Sequence, residues 1–226
     1  MSLYTADKKT FIQSSLLAFF LLLPVWGVWL LEQATQSNWY MYGVFPRKWE
    51  NWYGIFTMSF LHGSWEHIVN NTLSLFVLMT LCRWIYSDVF LKASAWMLLL
   101  TGFWTWLFAR PNYHIGASGM VYAYAAYMFT SGVLSKNYRL MALSLLIIFL
   151  YGSLVWGIFP MQESISWEGH LMGGIAGVVV AFMYRKNLPE REKYHWEDED
   201  DDEDLQQFID EEDGNPYWKK STITTT

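Results

Sequence analysis

Residues 11–31 read FIQSSLLAFFLLLPVWGVWLL, 21 positions without a charged side chain. A helix of that length reaches about 30 Å, the thickness of a bilayer's hydrocarbon core. The run follows Lys8 and Lys9, a placement shared by secretory leaders and membrane anchors. A leader's apolar region is shorter, about 7–15 residues, and ends at small residues. Leu31-Glu32-Gln33-Ala34 offers no such cleavage site, so the run is read as a retained anchor.

The rest of the chain fits that solvent. Hydrophobic residues make up 53% of the 226 positions and charged residues 16%, against roughly 25% charged in soluble domains. A soluble fold this apolar would expose patches that aggregate. The net charge of −6 hides an asymmetry: residues 1–189 carry 11 basic and 7 acidic groups, whereas residues 190–226 carry 4 basic and 14 acidic ones. A mildly basic apolar body with an acidic tail gives no charge-based reason to expect nucleic-acid binding. The single cysteine, Cys82, excludes an internal disulfide framework and reads as buried packing.

Five further apolar segments follow, at about 66–82, 91–108, 115–133, 140–159 and 170–184. Several are short for spanning, which suits helices surrounded by other helices. Gly173 and Gly177 form a GxxxG face that permits close helix contact. Lys8, Lys9, Arg83, Lys92, Lys136, Arg139, Arg185 and Lys186 all fall on one side of such a six-helix path, and only Arg47, Lys48 and Arg110 on the other. The positive-inside rule then places both termini in the cytoplasm. The external connection at 32–65 is long and rich in Trp and Tyr. Two readings stand for it: short helical pieces lying partly in the outer leaflet, or an ordinary packed loop. Beyond residue 188 the run Glu197–Asp204 marks a self-repelling segment with no core, expected to be disordered.

Ionisable and polar groups inside membrane segments are costly, so each is a functional candidate. His67 and Asn71 lie one helical turn apart on the second segment. Ser118 opens the fourth in Gly116-Ala117-Ser118-Gly119, and His170 opens the sixth in His170-Leu171-Met172-Gly173. A serine hydroxyl becomes a nucleophile when a base takes its proton, and imidazole has the right pKa range. Glycines beside Ser118 clear space for a substrate backbone. Free N–H groups at a helix start aim donors at a developing oxyanion, with His67 and Asn71 as further donors. Taken singly, each residue is also explained by helix packing; the constellation across three segments is the informative signal.

His62-Gly63-Ser64-Trp65-Glu66-His67-Ile68-Val69-Asn70-Asn71, then GASG at 116–119, then HLMG at 170–173, resembles the rhomboid intramembrane proteases. That family has HxxxxHxxxN on its second helix, GxSG on its fourth and HxxGxxxG on its sixth, and the likeness covers about residues 10–186. The resemblance implies an all-α polytopic membrane protein with a six-transmembrane-helix rhomboid-like bundle over 1–188 and an acidic cytoplasmic tail over 189–226. It implies an intramembrane serine endopeptidase in which Ser118 is the nucleophile and His170 its base. His67 and Asn71 would stabilise the oxyanion with the Ser118 N–H, and His62 would structure the first loop. Tyr122 matches an aromatic that packs on the catalytic histidine, with plain helix packing as the other reading. The partners implied are the lipid bilayer and transmembrane segments of client proteins, cut near the external boundary, and the location implied is a bacterial inner membrane. Two departures stand out: Tyr53-Gly54 replaces a frequent Trp-Arg pair, leaving that arginine's role unfilled or taken over by Arg47, and Gly169 replaces a frequent Ala.

His114 reads as a solvated loop residue that alternatively lines an aqueous cavity, and His195 belongs to the tail. No HExxH string supports a zinc protease, and no metal or organic cofactor is implied. The alternatives are a non-catalytic rhomboid-like protein that binds or routes client helices, and a small transporter using His and Asn as a polar path.

Overall fold

The structure, a computed structural model, describes residues 8–138, 141–142, 145–146, 159 and 166–188. All lie within the unit Met1–Arg191. Most of the expected fifth segment at 140–159, and all of the acidic tail with His195, lie outside the described residues. The described helices are α1 (Lys8–Thr35), the single turn α2 (Gly54–Thr57), α3 (Trp65–Ile85), α4 (Phe90–Phe108), α5 (Ser118–Leu134) and α6 (Trp167–Met183). There is no strand among the described residues, and the isolated pairing is an antiparallel bridge between Val44 and His114.

α1 and α3 are long and apolar enough to cross a membrane; α6 is apolar but shorter. α1 shows why length and composition suffice to build a helix in this solvent. Phe19, Phe20, Leu23 and Leu30 face outward, while Ala18 and Leu22 enter the core and Trp26 donates to Thr72 Oγ1 on α3 (3.1 Å). α3 begins where Ser64, in an extended conformation, accepts the His67 N–H at 3.2 Å. That cap satisfies one orphan donor and sets His67 in the first turn.

α5 and α6 pack against each other, α4 lies against α6, and α3 against α5. Their interface has no room for side chains at three glycines. A Cβ on Gly119 would lie 2.8 Å from Thr101 Cγ2 and 3.1 Å from the Gly169 carbonyl oxygen. One on Gly173 would strike the Gly119 carbonyl, and one on Gly177 the Ala123 carbonyl. The GxxxG pair therefore makes a backbone-to-backbone seam. Around it Phe90 stacks on Tyr124, whose hydroxyl donates to Ser94 Oγ (2.7 Å), and Cys82 is buried as packing.

α5 begins at Ser118, the residue the sequence places at its start, and Gly116 just before it takes φ +116°, a conformation that no α-helix accommodates. α6 begins at Trp167 after Ser166, so His170 sits at its fourth position and gives its N–H to the Ser166 carbonyl (3.2 Å).

The first loop does contain short helical pieces, with 3₁₀ turns at Trp39–Tyr42, Trp49–Asn51 and Met58–Phe60. Gly54 explains one departure from the family pattern: a Cβ there would sit 2.5 Å from the Gly43 carbonyl oxygen. Arg47 ties this loop to the end of α4 through the Leu107 and Ala109 carbonyls (3.1 and 2.9 Å) and its own N–H to Trp106 (2.9 Å). These bonds hold Arg47 at φ +59°, which costs a non-glycine residue about 1–2 kcal/mol.

The seam predicts a contrast between neighbouring positions. Gly177→Leu should destabilise the protein by about 1–3 kcal/mol or more, as overpacking does, and lower its unfolding midpoint in mild detergent. Gly174→Leu, with nothing within 4 Å of its Cβ position, should leave the midpoint nearly unchanged.

Candidate active site

The three sequence motifs meet where α3, α5 and α6 begin. His170 Nε2 and Ser118 Oγ are 2.7 Å apart, a full hydrogen bond between side chains 52 residues apart in sequence. The glycine seam brings them together, because Gly119, one residue after Ser118, and Gly173, three residues after His170, let the two backbones touch. The Tyr122 ring, one turn after Ser118, stacks on His170 with centroids 4.4 Å apart and planes 15° from parallel. That contact helps to set the plane of the imidazole.

The approach to Ser118 is held from the first loop. Gly116 donates its N–H to the Met58 carbonyl (2.8 Å), and Ala117 donates its own to His62 Nε2 (3.3 Å). Asn71 Nδ2 also donates to His62 Nε2, at 3.1 Å. Two donors on one ring nitrogen make it the acceptor, so the neutral ring carries its proton on Nδ1. Burial, with the nearby His67 adding to it and the Phe60 carbonyl opposing, pushes the His62 pKa down to about 3. His62 is thus a neutral acceptor inside the site as well as a support of the loop.

His67 completes the cluster. A Cβ on Gly116 would lie 2.6 Å from His67 Nε2 and 3.6 Å from Ser118 Oγ, so the imidazole and the hydroxyl border the same small space. Gly116 is required there twice over, by its positive φ and by the His67 ring. The Ser118 and Gly119 N–H groups, at the first two positions of α5, have no acceptor one turn back in the helix. Ser118 and His67 are partly exposed, while Asn71 and His170 are buried. Every residue singled out for chemistry therefore falls in one cluster. Among the described residues, no group of three or more His, Cys, Asp or Glu side chains is arranged to hold a metal ion.

One reading needs correction. His114 is a buried residue, 1% exposed, and not a solvated one. Its backbone pairs with Val44 in both directions (2.8 and 3.0 Å), its Nδ1 meets Ser166 Oγ (2.6 Å) and its Nε2 the Arg110 carbonyl (3.0 Å). Burial lowers its pKa, against the Arg110 carbonyl and the nearby Glu168 carboxylate, which raise it. The same region holds an ion pair that charge counting passed over: Arg110 Nε to Glu168 Oε1, 3.3 Å, with Glu168 almost wholly buried. An acidic residue two positions from His170, in an otherwise apolar segment, was the signal available.

A helical fold with two membrane-length apolar helices, and a serine hydrogen-bonded to a histidine across two further helices, agrees with what similarity to known proteins shows. The model of the Rhomboid domain matches residues 49–187. The chain is 32% identical over 171 residues to uncharacterized proteins of Mycobacterium tuberculosis (strain ATCC 25618 / H37Rv) and Mycobacterium bovis, covering 72% of this chain and 70% of each relative. A Mycobacterium leprae protein, also named as uncharacterized, is 30% identical over 171 residues, 72% of this chain and 67% of its own. The chain belongs to the rhomboid family, a family of membrane proteins.

The His62 assignment has a signed consequence for stability. The unfolded chain binds a proton on this ring near pH 6.5, whereas the folded protein resists it down to about 3. Stability should therefore fall as pH drops through that window, by up to about 1.4 kcal/mol per unit from this group. His62→Gln, which keeps an acceptor for Ala117, should flatten the dependence of denaturant midpoint on pH between about 7 and 5. An unchanged slope would mean that His62 takes up its proton as readily in the folded protein as in the unfolded chain.

Proposed function

We propose that this protein is an intramembrane serine endopeptidase that cuts transmembrane segments of other membrane proteins near the external membrane boundary. The observation that carries this reading is the 2.7 Å contact between Ser118 Oγ and His170 Nε2. Ser118 attacks a peptide carbonyl while His170 Nε2 takes its proton, and His170 then gives that proton to the leaving amine. Water, activated by the same imidazole, releases the acyl group from Ser118. The negative oxygen of the tetrahedral intermediate is received by the Ser118 N–H, His67 and Asn71, a donor set aimed before the charge appears. Asn71 has a second amide N–H beyond the one given to His62. Tyr122 keeps the base in plane, and no metal or organic cofactor enters the scheme.

The membrane domain spans 1–188 with six crossings, the segment at 140–159 being the fifth, and both termini face the cytoplasm of a bacterial inner membrane. The remaining residues, 189–226, form an acidic tail outside the catalytic unit. Hydrolysis needs water that lipid excludes, so the cluster lines a cavity open to the external side. A client helix must unwind to enter it, and a Gly within that helix lowers the cost by about 1 kcal/mol relative to Ala.

Purified full-length protein should cleave a single-pass client and take a fluorophosphonate label on Ser118. Ser118→Ala and His170→Ala should each abolish cleavage, with the double variant no worse than either, because nucleophile and base act as a unit. An unlabelled, inactive but folded wild type would overturn this reading in favour of a rhomboid-like protein that binds client helices. In the oxyanion set, His67→Ala should lower kcat roughly 10- to 1,000-fold and Asn71→Ala less, with KM little changed. An effect confined to KM would reassign both to substrate docking.

A further inference from the structure

Ser166 stands at the N-cap of α6, where a serine ordinarily turns its hydroxyl onto the helix's own first N–H groups. Here it makes no such cap. Its Oγ meets His114 Nδ1 at 2.6 Å, while its carbonyl accepts the N–H of His170. The direction of the first bond follows from the second ring nitrogen. The Arg110 carbonyl facing Nε2 can only accept, so Nε2 carries the proton and Nδ1 accepts from the serine hydroxyl. His114 in turn lies four residues before Ser118, on a segment clamped by the Val44 bridge and the Gly116–Met58 bond.

A second contact runs beside the first. Glu168, in the first turn of α6, takes Arg110 Nε at 3.3 Å and the Arg110 N–H at 3.4 Å on the same oxygen. The loop that delivers the nucleophile and the helix start that delivers the base are thus joined by two polar struts. Gly169 belongs to the arrangement. A Cβ there would sit 2.9 Å from Ser166 Oγ, closer than real Cβ contacts come, so the hydroxyl that meets His114 would have to shift.

We propose that His114 and Ser166 are positioning residues for His170, a latch that sets the start of α6 relative to the Ser118 loop and that requires glycine at 169. This inference rests on the reading of Ser118 and His170 as a catalytic dyad. The latch touches neither the reacting atoms nor the substrate. Its loss should misplace the base and lower turnover while leaving substrate affinity alone.

The test is a kinetic cycle on full-length protein in detergent, using a fluorogenic single-pass client. Ser166→Ala and His114→Ala should each lower kcat about tenfold or more, with KM within about twofold, as misplacement of a catalytic group does. Ser166→Thr, which keeps the hydroxyl, should recover most of the rate. Gly169→Ala should lower kcat in the wild-type background but change it less than about twofold once Ser166 is Ala, because the group it displaces has gone. An unchanged kcat in folded Ser166→Ala, no recovery with Thr, or Gly169→Ala and Ser166→Ala losses that simply multiply would overturn the latch alone. A wild type that neither cleaves nor labels would overturn the dyad reading and the latch with it.

Discussion

Ser118 and His170 share a hydrogen bond because α5 and α6 meet backbone to backbone. Gly119 lies against the Gly169 carbonyl, Gly173 against the Gly119 carbonyl and Gly177 against that of Ala123, so side chains are absent along the seam. Inside a bilayer, helices gain little by hiding apolar surface from equally apolar lipid, and close packing of small residues becomes a principal source of association. The same contact that holds the helices together therefore sets the distance between Ser118 and His170. Larger residues at the seam would push α5 and α6 apart and lengthen the contact between the two side chains.

The loop segments supply what the seam cannot. A helix start places donors near Ser118, but their aim depends on the three residues before it. Gly116 turns the chain through a left-handed conformation, Met58 and His62 take the N–H groups of Gly116 and Ala117, and the His67 ring fills the space above. His62 works here as a neutral acceptor because burial holds its pKa far below the usual range. A charged ring would present a proton to donors that already point at it. The site is in this sense a set of backbone N–H groups sorted by neighbours into those already used and those left for a ligand.

Polar groups in the surrounding shell follow the same logic. Buried ionisable side chains are tolerated when paired, and Arg110, Glu168, His114 and Ser166 form one connected set between the Ser118 loop and α6. Arg47 performs a comparable task on the first loop, where Gly54 leaves no space for a side chain against Gly43. Both departures from the family's pattern, Gly54 and Gly169, thus coincide with contacts too close for a Cβ. Each glycine is paired with polar anchoring by another residue.

The sequence by itself determined the helical membrane character and the family, and it pointed to the polar residues that the structure gathers around Ser118. Lipid leaves a backbone few ways to satisfy its polar groups, so apolar runs such as 11–31 specify helices almost without context. His67, Asn71, Ser118 and His170 stood out because polar groups are rare in such runs. What only the tertiary structure decided were relations between elements distant in the chain. The burial of His114 and the pairing of Arg110 with Glu168 each depend on a partner more than 50 residues away: Val44 or Ser166, and α6. Local pattern carries no information about which carbonyl will lie opposite a given N–H. It is the seam between α5 and α6, formed when the chain folds back on itself, that chooses those partners.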